Sequence, residues 1–227
     1  MSLRIILVEP EYEENLGLIA RVCKNFGVTE LFLVKPKANK NNIKAISRAM
    51  HAQDVLKKSK TTQNLKKALQ GLDYSIAATA RITSEKKFTR TALPLKQIVK
   101  KFNSKNLKLG LVFGRESSGL TNSEVEQCDL IMTIPTSHKY ASLNISHAVA
   151  VTLYAFFAEP KKTVLKTATS QNRKNVFNQF VEKIKKAKQI DNPQGVLETL
   201  KALLNRVPLT EKELNSLYTI AKQMKNK

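Results

Sequence analysis

Cysteine is scarce in this chain, and the shortage excludes two classes of protein. Cys23 and Cys128 are its only cysteines, too few for a disulfide framework and too far apart for a C-x-x-C metal motif. Both are expected to be buried as small apolar residues in a reducing compartment. We therefore predict a cytoplasmic protein without a metal site.

Long apolar runs are absent as well. The longest apolar stretch with helical character covers 148–158, well short of the roughly 20 residues that a membrane span needs. The N-terminus also lacks the apolar segment of a signal peptide. We expect a soluble protein without a membrane partner.

Glycine-rich nucleotide fingerprints are missing too. The chain has seven glycines, and none belongs to a G-x-G-x-x-G sequence or a Walker A loop. Neither a dinucleotide site nor a P-loop is therefore supported. A nucleoside-like ligand has to be held in another way.

Acidic side chains are outnumbered by basic ones, 18 against 39, which gives a formal charge of +21. Residues 161–227 carry 15 basic and 5 acidic side chains, net +10, and the first 160 residues carry +11, so the tail is about twice as densely basic. This excess favours a polyanionic partner such as nucleic acid. A lysine-rich solvated surface is the alternative that composition alone leaves open.

Apolar strand patterns and amphipathic helix patterns alternate along the first 160 residues. Strands are predicted at 3–8, 31–34, 55–56, 74–79, 107–113 and 130–134, and helices at 15–26, 43–51, 62–70, 94–103, 121–127 and 145–159. Such alternation predicts an α/β domain, a mostly parallel sheet covered by helices on both faces.

Pro160 stops the last helix of this domain, which we place at 1–160. Residues 161–172 are polar, basic and aperiodic, as expected of a linker. Helical spacing then returns, and Thr210-Glu-Lys-Glu213 has the pattern of a capping box. Residues 173–227 are therefore predicted to form a small helical extension.

Two turns point to a ligand site. The strand at 107–113 runs directly into Gly114, and the strand at 130–134 ends at Pro135. Ligands of open α/β sheets lie beyond the carboxyl ends of strands. Without a side chain, Gly114 would let a ligand lie against the backbone, although plain turn chemistry explains Gly114 and Pro135 equally well.

Three sequence blocks carry a family resemblance. They are Asn15-Leu-Gly-Leu-Ile-Ala-Arg21 with Asn25-Phe-Gly27, Phe113-Gly-Arg-Glu-Ser-Ser-Gly-Leu120, and Ile134-Pro135 with Ser142-Leu-Asn144. In this order and spacing, residues 1 to about 160 resemble the SpoU group of SPOUT RNA 2'-O-methyltransferases. Ala78-Thr-Ala-Arg81 and the tail stretches 204–207 and 209–215 most resemble the TrmJ group of tRNA methyltransferases.

The resemblance implies a reaction, a donor and an assembly. TrmJ proteins methylate the ribose 2'-hydroxyl of anticodon-loop nucleotide 32, so tRNA is the implied partner. S-adenosyl-L-methionine is the implied methyl donor, bound without metal in a C-terminal trefoil knot. A homodimer is also implied. A ribosomal RNA methyltransferase and a non-catalytic RNA-binding protein on the same fold remain alternatives.

The resemblance also assigns site residues. The catalytic set is Asn15, Arg21, Glu116, Ser142 and Asn144. The set for the donor is Ala78, Thr79, Ala80, Gly114, Ile134, Pro135, Ser142, Leu143 and Asn144. Asn144 also precedes the last helix of the domain, where capping alone would explain it.

RNA contacts are assigned to Arg21, Arg115 and Tyr140. We expect Arg21 to project from roughly the same side of the first helix as Asn15 and to grip a phosphate, since its pKa makes it a poor base. The resemblance to the family, in contrast, implies that this arginine acts as the base. Arg115 and Tyr140 are predicted to stack on an unstacked base. The three histidines, His51, His138 and His147, match no nucleophile or metal pattern and are predicted to be structural or RNA-facing.

Overall fold

The computed structural model describes residues 1–80, 92–102, 106–137, 139–158, 167–187, 190–206 and 208–224. Its strands are β1 Ser2–Val8, β2 Glu30–Val34, β3 Lys60–Thr62, β4 Tyr74–Ala78, β5 Ala92–Pro94, β6 Lys108–Phe113 and β7 Leu130–Thr133. The helices of the domain are α1 Glu13–Asn25, α2 Ile43–Ala49, α3 Gln53–Lys58, α4 Leu65–Ala68, α5 Leu95–Phe102, α6 Asn122–Glu126 and α7 Ile145–Ala158, and those of the tail are α8 Ser170–Lys186, α9 Pro193–Arg206 and α10 Glu211–Gln223.

The described strands form one sheet in the order β3-β2-β1-β6-β4-β7-β5, and every neighbouring pair is parallel. In the centre, Ile5 of β1 lies opposite Leu31 of β2 and Leu111 of β6. These strands are almost continuously apolar because both faces of a parallel sheet are covered. The predicted α/β fold is confirmed.

The two faces of the sheet are covered unequally. Ile5 and Leu7 face a large core that includes side chains of α1, α2, α3, α5 and α7. Ile6 and Val8 point to the opposite face, where α4 contributes Leu65 and Ala68 to a smaller core. The alternation of neighbours in β1 between two cores follows from the two-residue period of a strand.

Two edge strands differ from the sequence predictions. Val55 and Leu56 were expected in a strand, but they lie in α3, where both are buried beside exposed Asp54, Lys57 and Lys58. The strand β3 follows them, and its sequence Lys-Thr-Thr is too polar to stand out. Strand β5 was not predicted because it has three residues and ends in proline, which is tolerated at a sheet edge.

The tail helices pack around their own apolar core, formed by Val176, Phe180, Ile184, Leu197, Leu214 and Ala221 with buried Ala168. Helix α8 begins at Ser170, so residues 170–172, assigned to the linker from composition, are helical. The reason is a cap, since the Thr169 side chain accepts from Asn172 N. The capping box of Thr210 and Glu213 is confirmed. Residues 161–166 lie outside the described residues.

Arg173 attaches the tail to the sheet. It is 4% exposed, and its guanidinium carbon lies 3.4 Å from the centroid of the Tyr74 ring. It donates to the backbone oxygens of Asp73 and Ala168. Burial lowers the pKa of Arg173 and raises that of Tyr74 to about 12. A second link runs from Lys101 Nζ to the backbone oxygen of Arg206 (2.8 Å).

Within the described chain, no helix combines the length and apolar character that crossing a membrane requires. The chain path after β4 includes residues 81–91, with Arg81 of the resemblance, and these lie outside the described residues. The trefoil knot therefore stays a prediction.

Candidate functional site

Four strands of the sheet deliver their following residues to one edge. Because all pairs are parallel, β1, β4, β6 and β7 end on the same side, and Glu9, Thr79, Gly114 and Ile134 come directly after them. The Thr79 backbone N–H donates to Met132 O (2.9 Å), which holds the ends of β4 and β7 together. This is the edge at which open α/β sheets bind ligands.

Three of the predicted catalytic residues form one hydrogen-bonded chain at this edge. Asn15 Nδ2 donates to Glu116 Oε1 (2.8 Å), and Asn144 Nδ2 donates to Asn15 Oδ1 (3.1 Å). Asn15 is only 6% exposed. The second carboxylate oxygen of Glu116 accepts from Glu11 N (2.9 Å). Helix α1, the loop after β6 and the start of α7 are thus joined by side chains that are far apart in the sequence.

Asn144 has two roles. Its Oδ1 accepts from Ser146 N (2.8 Å) and from Ser146 Oγ (2.6 Å), which caps the first turn of α7. Its Nδ2 belongs to the chain with Asn15. Asn144 therefore both caps helix α7 and belongs to the candidate site. Ser146, which is buried, was not predicted from the sequence.

Gly114 is required by the protein backbone. A Cβ at this position would lie 2.2 Å from the carbonyl carbon of Gly119 and 2.3 Å from Leu120 N. The loop folds back on itself here, since Arg115 N donates to Gly119 O (3.2 Å) and Gly119 N to Arg115 O (2.9 Å). The loop's own backbone therefore requires a glycine here, as expected from turn chemistry, and the predicted donor contact of Gly114 stays a prediction.

Arg115 is engaged by two carboxylates. Its side chain is 12% exposed and reaches Glu9 through Nε (3.0 Å) and Nη2 (2.9 Å). It reaches Glu124 through Nη1 and Nη2, both at 3.0 Å. These two forks give Arg115 a structural role in the loop, and its predicted contact with RNA stays a prediction.

The pKa values around this clamp agree with its geometry. The hydrogen bonds that Arg115 donates to Glu124 and Glu9 raise its pKa. The hydrogen bond from Arg115 lowers the pKa of Glu9. Burial alone would raise the pKa of Glu124, but the hydrogen bonds from Arg115 and Thr121 outweigh it and the pKa is lowered. All three groups are therefore charged at neutral pH.

Arg21 lies apart from the Asn15 chain of hydrogen bonds. Six residues along a helix turn the side chain by about 600°, which leaves the two residues about 120° apart rather than on one side. Asn15 is buried and Arg21 is exposed. The side chain of Arg21 makes no hydrogen bond or ion pair to another described residue, so its guanidinium is available to a partner.

The remaining predicted donor and RNA residues follow β4 and β7. Ala78, Thr79 and Ile134 are half-buried, and Ala80, Pro135, Ser142 and Leu143 are exposed. Tyr140 is 80% exposed. In the described part of the stretch 134–144, the hydrogen bonds are Tyr140 N to Ser137 O (3.1 Å), Lys139 N to Ser137 Oγ (3.3 Å) and Thr136 Oγ1 to Ala141 O (3.1 Å), besides those of Asn144. Most polar groups of this stretch are left for a ligand.

Neither of the two described histidines belongs to the hydrogen-bonded chain at the site. His51 is exposed, and its backbone oxygen accepts from Lys24 Nζ (2.7 Å). His147 is exposed on α7, and His138 lies outside the described residues. Among the described residues, no three His, Cys, Asp or Glu side chains are grouped to hold a metal ion.

Several residues that shape the site were missed. Glu11 accepts from Ser117 N (3.1 Å) and from Lys37 Nζ (2.9 Å), and these bonds lower its pKa to about 2. A Cβ on Gly17 would lie 2.3 Å from Ala45 O, so this glycine permits the close crossing of α1 and α2. A glycine inside a helical pattern was the available signal. Glu9 and Glu124 gave no such signal.

A large cavity bounded by described residues, about 1220 Å³, lies elsewhere. It is lined by α6, β7 and the tail helices, with Cys128, Phe177 and Leu200 among its walls. The strand-end site is an open edge by comparison. Cavity size alone would therefore have pointed away from the hydrogen-bonded residues.

Comparison with known proteins agrees with this geometry. Residues 2–154 match the family described as the SpoU rRNA Methylase family. The chain is 34% identical over 229 residues to the tRNA (cytidine-2'-O-)-methyltransferase TrmJ of Methanocaldococcus jannaschii, covering 98% of this chain and 99% of the relative. It is 30% identical over 234 residues to the tRNA (cytidine/uridine-2'-O-)-methyltransferase TrmJ of Sodalis glossinidius, covering 95% and 88%.

A solved structure supports the fold over the whole chain. The crystal structure of TrmJ from Z. mobilis ZM4 superposes with a TM-score of 0.70 at 24% identity and covers 98% of each chain. The likeness therefore includes the tail helices as well as the α/β domain.

Proposed function

The chain belongs to the SpoU methylase family, and on this premise we propose that it methylates a ribose 2'-hydroxyl of tRNA with S-adenosyl-L-methionine as donor. The proposed target is an anticodon-loop nucleotide, at position 32. The observation that carries the proposal is the chain of hydrogen bonds Glu116–Asn15–Asn144 at the carboxyl ends of the strands. This chain joins residues of all three sequence blocks that carry the resemblance into one site.

The strand-end edge suits the donor. An adenosyl and methionyl group offers apolar surface together with polar atoms that backbone groups recognise. Exposed Leu143 and half-buried Ile134 would supply the first, and backbone groups of 134–137 and 139–144 that have no hydrogen bond to a described residue would supply the second. Thr79 and Ala80 would line the opposite wall, with Ala78 beneath them. When bound, the donor supplies an electrophilic methyl group.

The side chains at the edge have two kinds of role. Some position their neighbours through hydrogen bonds, and one, Arg21, is a cation available to RNA. Both oxygens of Glu116 accept N–H groups, so we assign it to positioning Asn15 and the α1 entry and not to proton transfer. Asn144 holds Asn15 from the other side, and Ser142 is the neighbouring exposed hydroxyl. Arg21 would bind an RNA phosphate and fix the orientation of the ribose, since its high pKa makes it a poor base.

Helix α7 supports the proposed homodimer. The helix contains no Asp, Glu, Lys or Arg, and its outer face exposes Val151, Tyr154 and Phe157, the last two at 62% and 70%. Phe157 packs edge-on against Phe26 with ring centroids 5.5 Å apart, which extends the apolar surface onto α1. A continuous exposed apolar face of this kind marks an interface. A second copy related by two-fold symmetry would cover it.

The dimer is tested by light scattering on the purified protein. We expect the mass of two chains for the wild type and of one chain for Tyr154→Glu with Phe157→Glu. A single-chain mass for the wild type at micromolar concentration would contradict the proposed assembly.

The reaction is tested by mass spectrometry of nucleosides from an unmodified tRNA transcript incubated with labelled S-adenosyl-L-methionine. We expect a 2'-O-methylated nucleotide that digest mapping places in the anticodon loop. Arg21→Ala should lose at least roughly 100-fold in rate, because misplacing a reacting group by about 1 Å has that effect. Lys96→Ala, an exposed cation on α5, is the matched control and should keep the wild-type rate.

Ribosomal RNA is the second candidate substrate, because the matched family is described by its rRNA methylases. The same assay with ribosomal RNA fragments separates the two. Methylation of ribosomal RNA without any of tRNA would overturn the tRNA assignment. RNA binding unaffected by Arg21→Ala, with no product on either RNA, would favour the non-catalytic alternative.

A further inference from the structure

Positive charge in the α/β domain is concentrated in one stretch. Residues 35–67 contain ten Lys or Arg side chains and one acid, Asp54, for a net charge of +9 over 33 residues. The other 127 residues of 1–160 carry 14 basic and 12 acidic side chains, a net charge of only +2. We call residues 35–67 the basic lobe. Its charge density exceeds that of the tail.

The basic lobe forms one end of the sheet. It runs from the end of β2 through α2, α3 and β3 to α4, and β3 is the outermost strand on that side. The tail helices contact the other half of the molecule, through Arg173 on Tyr74 and the walls around β7. The two basic stretches therefore pack at different strands of the sheet, the lobe around β2 and β3 and the tail at the beginnings of β4 and β7.

Most cations of the lobe have no acidic partner. Asp54 is paired with Lys24 (2.7 Å). Lys37 pairs with Glu11 (2.9 Å) and Lys44 with Glu14 (3.3 Å). The others on the surface are Lys35, Arg48, Lys57, Lys58, Lys60, Lys66 and Lys67, all exposed and without an ion pair to any described residue. Seven such charges repel one another unless an anionic partner neutralises them.

The lobe is continuous with the proposed site. Lys35 follows the carboxyl end of β2, and its neighbour Lys37 holds Glu11, whose other oxygen accepts from Ser117 N beside Glu116. Helix α2 crosses α1 at Gly17, one helical turn from Arg21, and Arg48 is at this crossing. Charges of the lobe thus begin next to Arg21 and extend outward to Lys66 and Lys67.

We propose that the basic lobe binds backbone phosphates of the anticodon stem while the strand-end site holds the loop nucleotide. The inference rests on the proposed function. Lysine side chains are point charges that neutralise phosphates without reading base sequence. Beyond the loop's own phosphates, those of the stem are the next anionic groups along the RNA from a loop nucleotide placed beside Arg21. The lobe would therefore set where along the tRNA the loop lands.

The test compares two triple variants with the same loss of charge. Lys35, Lys66 and Lys67 are changed to Gln in one protein, and Lys96, Lys100 and Lys108, which are exposed outside the lobe and the tail, in the other. Glutamine has a helix propensity close to that of lysine. Binding of an anticodon stem-loop RNA and of whole tRNA is measured from 50 to 300 mM salt, and thermal melting confirms that both variants fold.

The lobe variant is expected to bind the stem-loop roughly tenfold more weakly at 0.1 M salt, with a log–log salt slope that is smaller by about two to three. The control should change by less than about twofold. Replacing the same three lysines by Arg should keep the wild-type affinity, because the charge is retained. Equal losses in both Gln variants, or none in the lobe variant, would overturn the proposal.

Two further outcomes are distinguishable. A loss seen with whole tRNA and not with the stem-loop would overturn the assignment to the anticodon stem. Wild-type protein that binds the stem-loop through the lobe but methylates no tRNA would refute the proposed function and leave the surface intact. At saturating RNA the lobe variant should turn over at the wild-type rate, since none of the three lysines touches the strand-end site.

Discussion

The two loops that follow β6 and β7 both contain polar side chains and use them differently. In the loop 114–120, Arg115 and Gly119 are hydrogen-bonded to each other, and Arg115 is fixed by Glu9 and Glu124. In the loop 134–144, Tyr140, Ser142 and Leu143 face outward. The first loop uses its polar groups within the protein, and the second leaves its side chains exposed. A polar glycine-bearing turn after a strand can therefore serve the protein's own hydrogen bonds.

The largest expected effect comes from filling the closed loop. Gly114→Ala places a Cβ 2.2 Å from the Gly119 carbonyl carbon, and since backbone must move we expect a loss of about 3 kcal/mol or more in the free energy of unfolding. Urea denaturation measures it. Gly27→Ala is the control, because its added Cβ meets nothing within 4 Å and only the positive φ of 66° opposes it. That variant should lose about 1 kcal/mol. Equal losses would show that the loop yields easily.

The next effect comes from removing the centre of the clamp. Arg115→Met leaves Glu9 and Glu124 without their partner, and we expect a loss of about 1–3 kcal/mol at pH 7, discounted for partial exposure. The lowered pKa values of both carboxyls mean that the clamp stabilises the fold above their ordinary pKa of 4.5. That contribution is lost as pH falls through the lowered values. The difference between wild type and variant should shrink steadily below pH 4.5, and a difference independent of pH would contradict the clamp.

Replacing Asn144 is expected to have a smaller effect on the free energy of unfolding than the two changes above and a large effect on the methylation rate. Asn144→Ala removes the cap on Ser146 N and the bond to Asn15, which should lower the free energy of unfolding by about 1–2 kcal/mol and the methylation rate by roughly 100-fold. Asn42→Ala, which removes the cap of α2, should have a similar effect on stability. At saturating tRNA it should keep its rate. Equal rates for the two variants would remove Asn144 from the site.

The smallest effect on stability is expected in the exposed loop. Tyr140→Ala should change the free energy of unfolding by less than about 0.5 kcal/mol, because an 80% exposed side chain contributes little packing. The KM for tRNA should rise roughly tenfold, since stacking on a base contributes about 1–3 kcal/mol. Donor affinity, measured by titration calorimetry, should stay unchanged. Parallel losses of tRNA and donor affinity would show that Tyr140 supports the donor instead.

Prediction from sequence succeeded where a stretch of residues is compatible with only one kind of environment in the fold. The run Leu3 to Val8 could only be a buried parallel strand, and Asn15, Glu116 and Asn144 were grouped correctly through their motifs. Prediction failed where the role of a side chain depends on a contacting residue that is far away in the sequence. Nothing in the sequence around Arg115 shows that Glu9, 106 positions away, takes its guanidinium. For Gly114 the sequence left a turn and a ligand contact equally open, since both require a missing side chain, and the structure shows the turn.

Edges of the sheet were the other source of error. Strands β3 and β5 have three residues each and lack the apolar pattern of the centre. Their position follows from pairing with β2 and β7, which is tertiary information. The helical phase of Arg21 was an error of geometry, because a spacing of seven residues, and not six, returns to the same face.

The attachment of the tail through Arg173 has a practical consequence for preparing the protein. Its partners are two backbone oxygens and the face of Tyr74, and a buried contact of this kind is screened much less by salt than surface charge is. Lysine-phosphate contacts, by contrast, weaken steeply as salt rises. A wash near 1 M salt should strip co-purifying nucleic acid while the tail stays docked. The chain can thus be cleaned of RNA without being taken apart.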